Sequence, residues 1–199
     1  MDIQKIAKNF ASRGFLFNYF ETVEEANEYI ASLIPENATV GFGGSVTVKE
    51  MNLTDALKGR TLLHRDLVKD VEPSILMDKM HYADWYVSSA NALCVTGDIV
   101  NIDGRGNRVG EIVNGPKNIL IVCGVNKITE DIASGIERTR NVASPPNCVR
   151  LNKKTPCAVT GKCSYCNSPD TICRATVILH HPTTGKQVHI VLVNKKLGY

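Results

Sequence analysis

The chain has 199 residues, of which 43% are hydrophobic and 22% charged, as is ordinary for a globular protein. Its net charge is only +3, and no run of Lys or Arg is longer than a pair, so nothing indicates a surface for nucleic acid or an anionic membrane. The longest apolar run is far shorter than a membrane span, and the first residues lack a signal-peptide core. We therefore expect a cytoplasmic protein with neither a membrane nor nucleic acid among its partners.

The first part of the chain alternates helical and strand-like patterns. Apolar residues on one face predict a helix over residues 2–13, and an aromatic strand over residues 15–20 follows it. Thr22 and Glu25 have the spacing of a capping box, which predicts the start of a second helix. Residues 39–42 then predict a short buried strand.

A glycine turn follows this strand, at Gly43, Gly44 and Ser45. Its backbone amides could approach an anion, and Ser45 could cap a short helix over residues 46–53 whose dipole would favour negative charge. The spacing matches neither the dinucleotide-binding fingerprint nor the P-loop. By itself the pattern slightly favours an ordinary turn without a ligand.

The middle of the chain predicts a helix over residues 72–83 among short strands. The strand candidates cover residues 61–64, 85–88, 93–95, 99–102 and 108–113, with a turn over residues 103–107. Residues 119–123 are apolar and rich in β-branched side chains, which is typical of a central parallel strand buried on both faces. Thr129 is expected to cap a further helix that has Arg138 and Arg140 in its last turn.

Near the end of the chain, residues 175–181 and 187–193 predict an antiparallel hairpin. Strands that alternate with helices indicate an α/β fold with a mostly parallel sheet flanked by helices, to which the hairpins add antiparallel strands. No linker or internal repeat interrupts this pattern, so we expect one domain over residues 1–199.

Four of the seven cysteines lie in a short polar stretch, residues 156–174, that we call the cysteine loop. They are Cys157, Cys163, Cys166 and Cys173, spaced C-x5-C-x2-C-x6-C. The loop is rich in turn formers and has no apolar core, so another interaction must offset the cost of ordering it, about 1–2 kcal/mol per residue. Thiolates that converge on a metal can supply that free energy.

The spacing also bears on which metal group the loop would bind. The one C-x2-C element, at Cys163 and Cys166, favours a 4Fe–4S iron–sulfur cluster over a zinc ribbon, which usually has two such elements. Zinc is the alternative. A redox disulfide between these two cysteines would leave Cys157 and Cys173 unexplained. The other three cysteines lie in apolar contexts and are interpreted as small buried hydrophobic residues; they are Cys94, Cys123 and Cys148.

Several motifs together resemble one known family. They are G-F-G-G-S-V-T, G-D-I-V-N-I-D-G-R-G-N-R-V, G-P-K-N-I-L-I-V-C-G-V-N-K-I, I-E-R-T-R and the final L-G-Y. In this order, from about Ile3 to Tyr199, they are similar to the lactate-utilisation (LUD) domain family, in a subgroup that also carries the cysteine loop. The resemblance implies a fold like that of the sugar-isomerase, deaminase and CoA-transferase superfamily.

The resemblance also implies that ten residues gather around one cleft at the carboxyl ends of parallel strands. These residues are Gly43, Gly44, Ser45, Thr47, Asn101, Asp103, Asn107, Arg108, Asn126 and Lys127. Amides, hydroxyl groups and two cations suit a small anionic metabolite, with Arg108 as a forked clamp and Lys127 as a point charge. The alternative is that residues 107–108 and 126–127 only cap turns and pair with surface carboxylates.

Two classes of function are compatible with these features. The first is an iron–sulfur protein in the redox metabolism of a small 2-hydroxy acid such as lactate, with iron–sulfur proteins as partners. The second is a non-redox metabolite-binding domain, or a cluster enzyme, whose four-cysteine site is structural or binds substrate. Residues 94–98 lack the Glu that CoA transferases of the superfamily use as nucleophile, which argues against covalent CoA transfer. A homo-oligomer is compatible with either class.

Overall fold

The computed structural model describes residues 1–199. Its α-helices are α1 (Ile3–Ser12), α2 (Val23–Leu33), α3 (Val46–Glu50), α4 (Leu53–Ala56), α5 (Pro73–His81), α6 (Asn107–Asn114), α7 (Ile132–Arg138), α8 (Ser144–Arg150) and α9 (Pro156–Thr160). Its strands are β1 (Leu16–Phe20), β2 (Thr39–Phe42), β3 (Thr61–Leu63), β4 (Trp85–Ser88), β5 (Ala92–Cys94), β6 (Ile99–Asp103), β7 (Asn118–Gly124), β8 (Ile128–Thr129), β9 (Ala175–Leu179) and β10 (Gln187–Val193). A 3-10 turn spans Val125–Lys127, and a π-helical turn spans Thr139–Ala143. None of these helices has the length and apolarity that crossing a membrane requires.

A six-stranded parallel sheet forms the centre of the molecule, with strand order β1-β10-β7-β4-β2-β3. Strand β7 pairs with a parallel neighbour on each side. Its side chains alternate between two cores, Leu120 and Val122 on one face and Ile119 and Ile121 on the other. The prediction of a central strand over residues 119–123 is therefore confirmed, and so is the α/β class.

The two faces of this sheet are covered differently. Helices α2, α3 and α4 bury one face. The other face packs against α1, α6 and a second sheet of order β8-β5-β6-β9, in which β5 and β6 pair antiparallel. Helix α7 covers the outer side of this second sheet through Ile132 and Ile136. The carboxyl ends of the strands of the large sheet therefore lie between α3 and the second sheet.

Helix starts follow the predicted capping chemistry at two sites. The capping box of Thr22 and Glu25 is present at α2, and the Ser45 hydroxyl accepts a hydrogen bond from the Val48 amide at 3.2 Å at the start of α3. The single helix predicted over residues 46–53 is wrong in its extent. Asn52 adopts a left-handed conformation with φ of 53°, which ends α3 and separates it from α4.

The predicted strand over residues 108–113 is wrong, because these residues form helix α6. The carboxylate of Asp103 accepts hydrogen bonds from the amides of Arg105 and Gly106, both at 3.1 Å, and thereby closes the turn that precedes the helix. Val109 and Ile112, three residues apart, are the buried residues of α6. That spacing fits a helix that packs one face on the sheet rather than a strand.

Helix α7 also begins differently from the prediction. Thr129 does not cap it, since this residue lies in the short strand β8. Asp131 is the cap instead, and its carboxylate accepts a hydrogen bond from the Ser134 amide at 2.8 Å. Both residues are chemically suitable caps, so composition alone did not separate them.

The predicted hairpin of residues 175–181 and 187–193 is wrong as well. Strand β9 pairs antiparallel with β6 in the second sheet, whereas β10 lies parallel between β1 and β7 in the large sheet. Six consecutive residues of β10, Val188 to Val193, are buried. A strand buried on both faces gains more from two parallel neighbours than from a single hairpin partner.

A buried carboxylate connects α1 to the second sheet. Asp98 is 2% exposed, and its Oδ1 accepts a hydrogen bond from Arg13 Nη1 at 2.7 Å and lies 2.6 Å from His180 Nδ1. The Thr96 hydroxyl donates to Oδ2 at 2.5 Å. Burial alone would raise the pKa of Asp98, but the hydrogen bonds from Thr96 and His180 and the charge of Arg13 outweigh it, so the pKa lies below its ordinary value.

We predict that Asp98→Asn lowers the free energy of unfolding by about 1.5–3 kcal/mol at pH 7, because Arg13 and His180 lose a charged acceptor. Urea denaturation measures the change. Asp66→Asn is the control: Asp66 pairs with Arg65 at 3.7 Å and both are exposed, so its effect should be about 0–1 kcal/mol.

The same carboxylate predicts a pH dependence. Because folding lowers the pKa of Asp98, its contribution to stability is present above the unfolded pKa of about 3.9 and is lost as the pH falls through the folded pKa. The difference in stability between wild type and Asp98→Asn should shrink accordingly in acid. Equal losses for the Asp98 and Asp66 variants at pH 7 would contradict the assigned role of Asp98.

Candidate functional site

The large sheet has a crevice at the carboxyl ends of β2 and β4. After β2 the chain continues into α3 on one face of the sheet, and after β4 it continues into β5 on the other face. Adjacent parallel strands whose connections leave in opposite directions create a crevice, and ligands of α/β proteins bind at such positions. Strand β7, the neighbour of β4, ends beside it and leads to Lys127.

A cavity of about 700 Å³ occupies this crevice, and we call it the cleft. Seven of the ten residues that the motifs predicted line it: Gly44, Ser45, Thr47, Asp103, Asn107, Arg108 and Lys127. The amides of Gly44 and Ser45 donate to no acceptor within the protein. They are therefore available to a ligand.

The other three predicted residues do not line the cleft. At Gly43 an added Cβ would lie 2.6 Å from the Tyr86 hydroxyl, so this glycine allows close packing of the backbone on β4. The Asn101 side chain accepts a hydrogen bond from the backbone amide of Asn91 at 3.2 Å. Asn126 accepts one from the backbone amide of Leu197 at 3.0 Å. All three have structural contacts next to the cleft.

Lys127 places a positive charge in the wall of the cleft, although the residue is 5% exposed. Its ammonium group donates to the hydroxyl groups of Thr47 and Ser89, both at 2.8 Å, and to the carbonyl oxygen of Ala90 at 3.1 Å. No carboxylate forms a salt bridge with it. Burial lowers the pKa of Lys127 to about 8. An anion in the cleft would supply the missing negative charge.

Arg108 is held at its guanidinium group by the wall of the cleft. Its Nη2 donates to Asn91 Oδ1 at 2.9 Å and to the Ile102 carbonyl oxygen at 2.8 Å, and its Nε lies 3.7 Å from Asp103 Oδ2. Its Nη1 has no hydrogen-bond partner within the protein. Burial lowers the pKa of Arg108, but a guanidinium group remains charged. The Nη2 and Nε atoms of Arg108 therefore contact the protein, and its Nη1 is free to bind a ligand.

The segment after β4 contributes site residues that the sequence analysis missed. Ser89 binds the ammonium of Lys127, and Asn91 accepts from Arg108. The Asn91 carbonyl oxygen also accepts from Arg138 Nη1 at 2.6 Å. The signal was present, because residues 88–91 read S-S-A-N directly after a predicted buried strand, where polar residues belong at a ligand-binding edge.

The last residues of the chain close one side of the cleft. The Asn126 side chain binds Leu197, the Gly198 amide donates to Glu50 Oε2 at 2.6 Å, and Gly198 lines the cleft. Gly124 allows this approach, because an added Cβ would collide with the carbonyl oxygen of Lys195. The L-G-Y motif is therefore part of the cleft wall.

The cysteine loop borders a second, smaller cavity of about 220 Å³, which we call the cysteine cavity. All four predicted cysteines line it, namely Cys157, Cys163, Cys166 and Cys173. A fifth, Cys148 of α8, lines it too, with its Sγ 3.7 Å from that of Cys157. The sequence analysis missed Cys148 because it precedes the loop and lies in an apolar context. Burial is the main cause that raises the pKa of the Cys148 thiol to about 11.

A cation also borders the cysteine cavity. The guanidinium carbon of Arg140 lies 4.5 Å from the ring centre of Tyr165, and its buried Nε has no hydrogen-bond partner. An anionic metal–thiolate group would satisfy this nitrogen. As the side chains stand, no three of the Cys, His, Asp or Glu residues are grouped so that they could hold a metal ion. Binding would require the thiols to converge.

The two cavities share part of a wall. Ser144 and Thr171 line both, and Cys173 Sγ lies 3.5 Å from the Ser144 hydroxyl oxygen. Ser144 follows the π-helical turn, begins α8 and lies between the cleft and the thiols. The two predicted sites are thus neighbours rather than separate features.

Comparison with known proteins agrees with the fold. The family model described as the LUD domain matches residues 3–193. Among solved structures, the chain is similar to a DUF162 family protein from Deinococcus radiodurans, with a TM-score of 0.59 and 14% identity over 96% of this chain and 95% of that chain. At this identity the likeness concerns the fold alone. A search of curated proteins found no match.

We predict that Gly124→Ala lowers the free energy of unfolding by about 1–3 kcal/mol, because the added methyl group displaces residues 195–197 from the end of β7. Thermal unfolding measures the change. The control is Gly110→Ala in α6, where an added Cβ meets nothing within 4 Å, so helix propensity should make that change neutral or stabilising. A neutral Gly124 variant would show that the chain end is not packed on β7.

Proposed function

Since the chain belongs to the LUD domain family, we propose that it binds a small 2-hydroxy acid, such as lactate, in the cleft and carries an iron–sulfur cluster on the cysteine loop for redox metabolism of that metabolite. The observation that supports the proposal best is the shared wall at Ser144 between a cationic cleft and a cavity lined by thiols. A pocket for a small anion and a site for a redox group then lie side by side.

The cleft has the groups that a 2-hydroxy acid requires. The free Nη1 of Arg108 would donate to the carboxylate, and the Lys127 ammonium would act on it as a buried positive charge. The hydroxyl oxygens of Thr47 and Ser89 accept from Lys127, and the two hydroxyl groups donate to the carbonyl oxygens of Leu197 and Ala90, both at 3.3 Å, so these side chains orient Lys127. The amides of Gly44 and Ser45 add two further donors.

We favour a cluster over a single zinc ion because the cysteine loop has one C-x2-C element, at Cys163 and Cys166, rather than the two of a zinc ribbon. The unpaired Arg140 Nε would donate to an anionic cluster. We propose Cys157, Cys163, Cys166 and Cys173 as the ligands. A 4Fe–4S cluster, when bound, supplies one-electron transfer, and partner iron–sulfur proteins would exchange those electrons.

We predict that the chain, expressed with added iron and purified without oxygen, contains about four iron and four sulfide per chain, as a 4Fe–4S cluster requires. Cys163→Ser should lose most of that iron, because a thiolate ligand is removed. Cys94→Ser is the matched control, since Cys94 is buried in β5 away from the cavity. Cys148→Ser should keep its iron, because the loop supplies four thiolates without it.

Metal analysis and visible absorption read out this experiment without any assay of activity. Stoichiometric zinc in place of iron would reject the cluster and leave a structural metal site. Free thiols in the anaerobic protein would reject a metal site of either kind.

We predict that Arg108→Ala weakens lactate binding by about 1.5–3 kcal/mol, the range for a hydrogen bond to a charged group. The affinity of Arg108→Lys for lactate should lie between those of wild type and Arg108→Ala, because an ammonium group keeps the charge but cannot donate two parallel hydrogen bonds. Isothermal titration measures both. The control is Lys117→Ala, since Lys117 is exposed and lies just before the amino end of β7. This variant should bind lactate as tightly as wild type does. Lactate binding that does not depend on Arg108 would overturn the proposed clamp.

A further inference from the structure

The positive charge of the chain is concentrated in the cleft. Eight Lys and Arg residues line it, against the two carboxylates of Asp103 and Asp170. The other fifteen basic residues and eighteen acidic residues lie elsewhere, so the rest of the chain is net negative, although the whole carries +3. The surplus is therefore a property of this cavity and not of the surface in general.

Most of these cations lie beyond Arg108 and Lys127, and we call them the mouth cations. They come from four segments: the loop after β3, the turn before α6, the end of α8 with the residues after it, and the residue before β9. They are Arg65, Lys69, Arg105, Arg150, Lys153 and Arg174. Four separate segments thus contribute like charges to the lining of one cavity.

The mouth cations have little compensation within the protein. Lys69, Arg105 and Lys153 form no salt bridge, and the only one made by a mouth cation joins two exposed side chains at 3.7 Å, Arg65 and Asp66. The carboxylate of Asp170 accepts from a backbone amide, that of Lys154, at 2.9 Å.

Neutral oxygens hold the two remaining mouth cations. Arg150 donates to Asn147 Oδ1 at 2.7 Å, and Arg174 donates to the Pro169 carbonyl oxygen at 2.6 Å. These contacts orient the guanidinium groups without neutralising them. Like charges that face one cavity repel each other, so an anionic ligand would stabilise the arrangement.

The cleft is much larger than lactate. A volume of about 700 Å³ lies in the range of pockets for drug-sized molecules, about 300–1,000 Å³, whereas a 2-hydroxy acid such as lactate has about six non-hydrogen atoms. One carboxylate bound by Arg108 and Lys127 would leave the mouth cations without a partner.

We propose that the ligand of the cleft is an organic phosphate whose phosphate groups bind the mouth cations while its 2-hydroxy acid end reaches Arg108 and Lys127. This inference rests on the proposed function, since it takes the same cleft and extends its substrate class. Phosphate is favoured over further carboxylates because each phosphate monoester carries about −1.5 to −2 at neutral pH, so few groups match the surplus. Four of the six mouth cations are Arg, the side chain that binds phosphate with two parallel hydrogen bonds.

Isothermal titration of the full chain with inorganic pyrophosphate tests binding by the mouth cations. Titration with lactate tests binding by Arg108 and Lys127. The double variant Arg150→Gln, Lys153→Gln removes two mouth charges. The matched control is Lys5→Gln, Lys8→Gln, which removes two exposed charges from α1, outside the cleft. We expect the Kd for pyrophosphate to rise at least tenfold in the mouth variant and to stay within twofold in the control, with the Kd for lactate unchanged in both.

Pyrophosphate that fails to bind, or that binds the mouth variant as tightly as wild type, would overturn the inference. That result is distinct from failure of the proposed function, which would appear as absent lactate binding or as lactate binding that is independent of Arg108. A steep loss of pyrophosphate affinity between low and high salt would further support binding by the mouth cations.

Discussion

The buried ammonium group of Lys127 is the constraint on which the site depends. A charge taken out of water is costly unless polar groups surround it, and here no carboxylate pairs with it. Its three acceptors come from two different segments, Thr47 in α3 and Ser89 and Ala90 after β4, while Lys127 itself follows β7. The charge therefore ties together the ends of three adjacent strands.

Arg108 and Arg138 extend the same arrangement. Both donate to Asn91, one to its side chain and one to its carbonyl oxygen, so the segment after β4 is held by cations from both sides. The result is a crevice whose positive charges are held by hydrogen bonds before any ligand arrives. Preorganised charge of this kind lowers the cost of binding an anion, because the protein groups need not reorient.

Much of the fold could be predicted from local signals that have one physical solution. The capping box at Thr22 and the apolar run of β7 are such cases, because few alternatives satisfy orphan amides or bury a strand on both faces. Strand β10 could not be assigned to its sheet in this way. Its local pattern fits a hairpin and a crossover equally, and only pairing with β1 and β7, far away in the chain, separates them.

The candidate site was predictable to a similar degree. Motif resemblance brought Arg108 and Lys127 into the prediction, but spacing gave no reason to include Cys148, which reaches the cysteine cavity only through the packing of α8 on α9. Residues 108–113 were misassigned because six residues contain too little of either period to separate a helix from a strand. Tertiary packing made the decision in both cases.

The most direct test of this account is a nitrogen-detected NMR titration of the Lys127 ammonium group. We expect a pKa near 8 in the free protein, which rises when lactate binds, because a nearby anion stabilises the charged form. The affinity for lactate should correspondingly fall as the pH rises above 8. A pKa near the ordinary value of 10.5, unaffected by lactate, would contradict the claim that a buried, uncompensated charge organises the cleft.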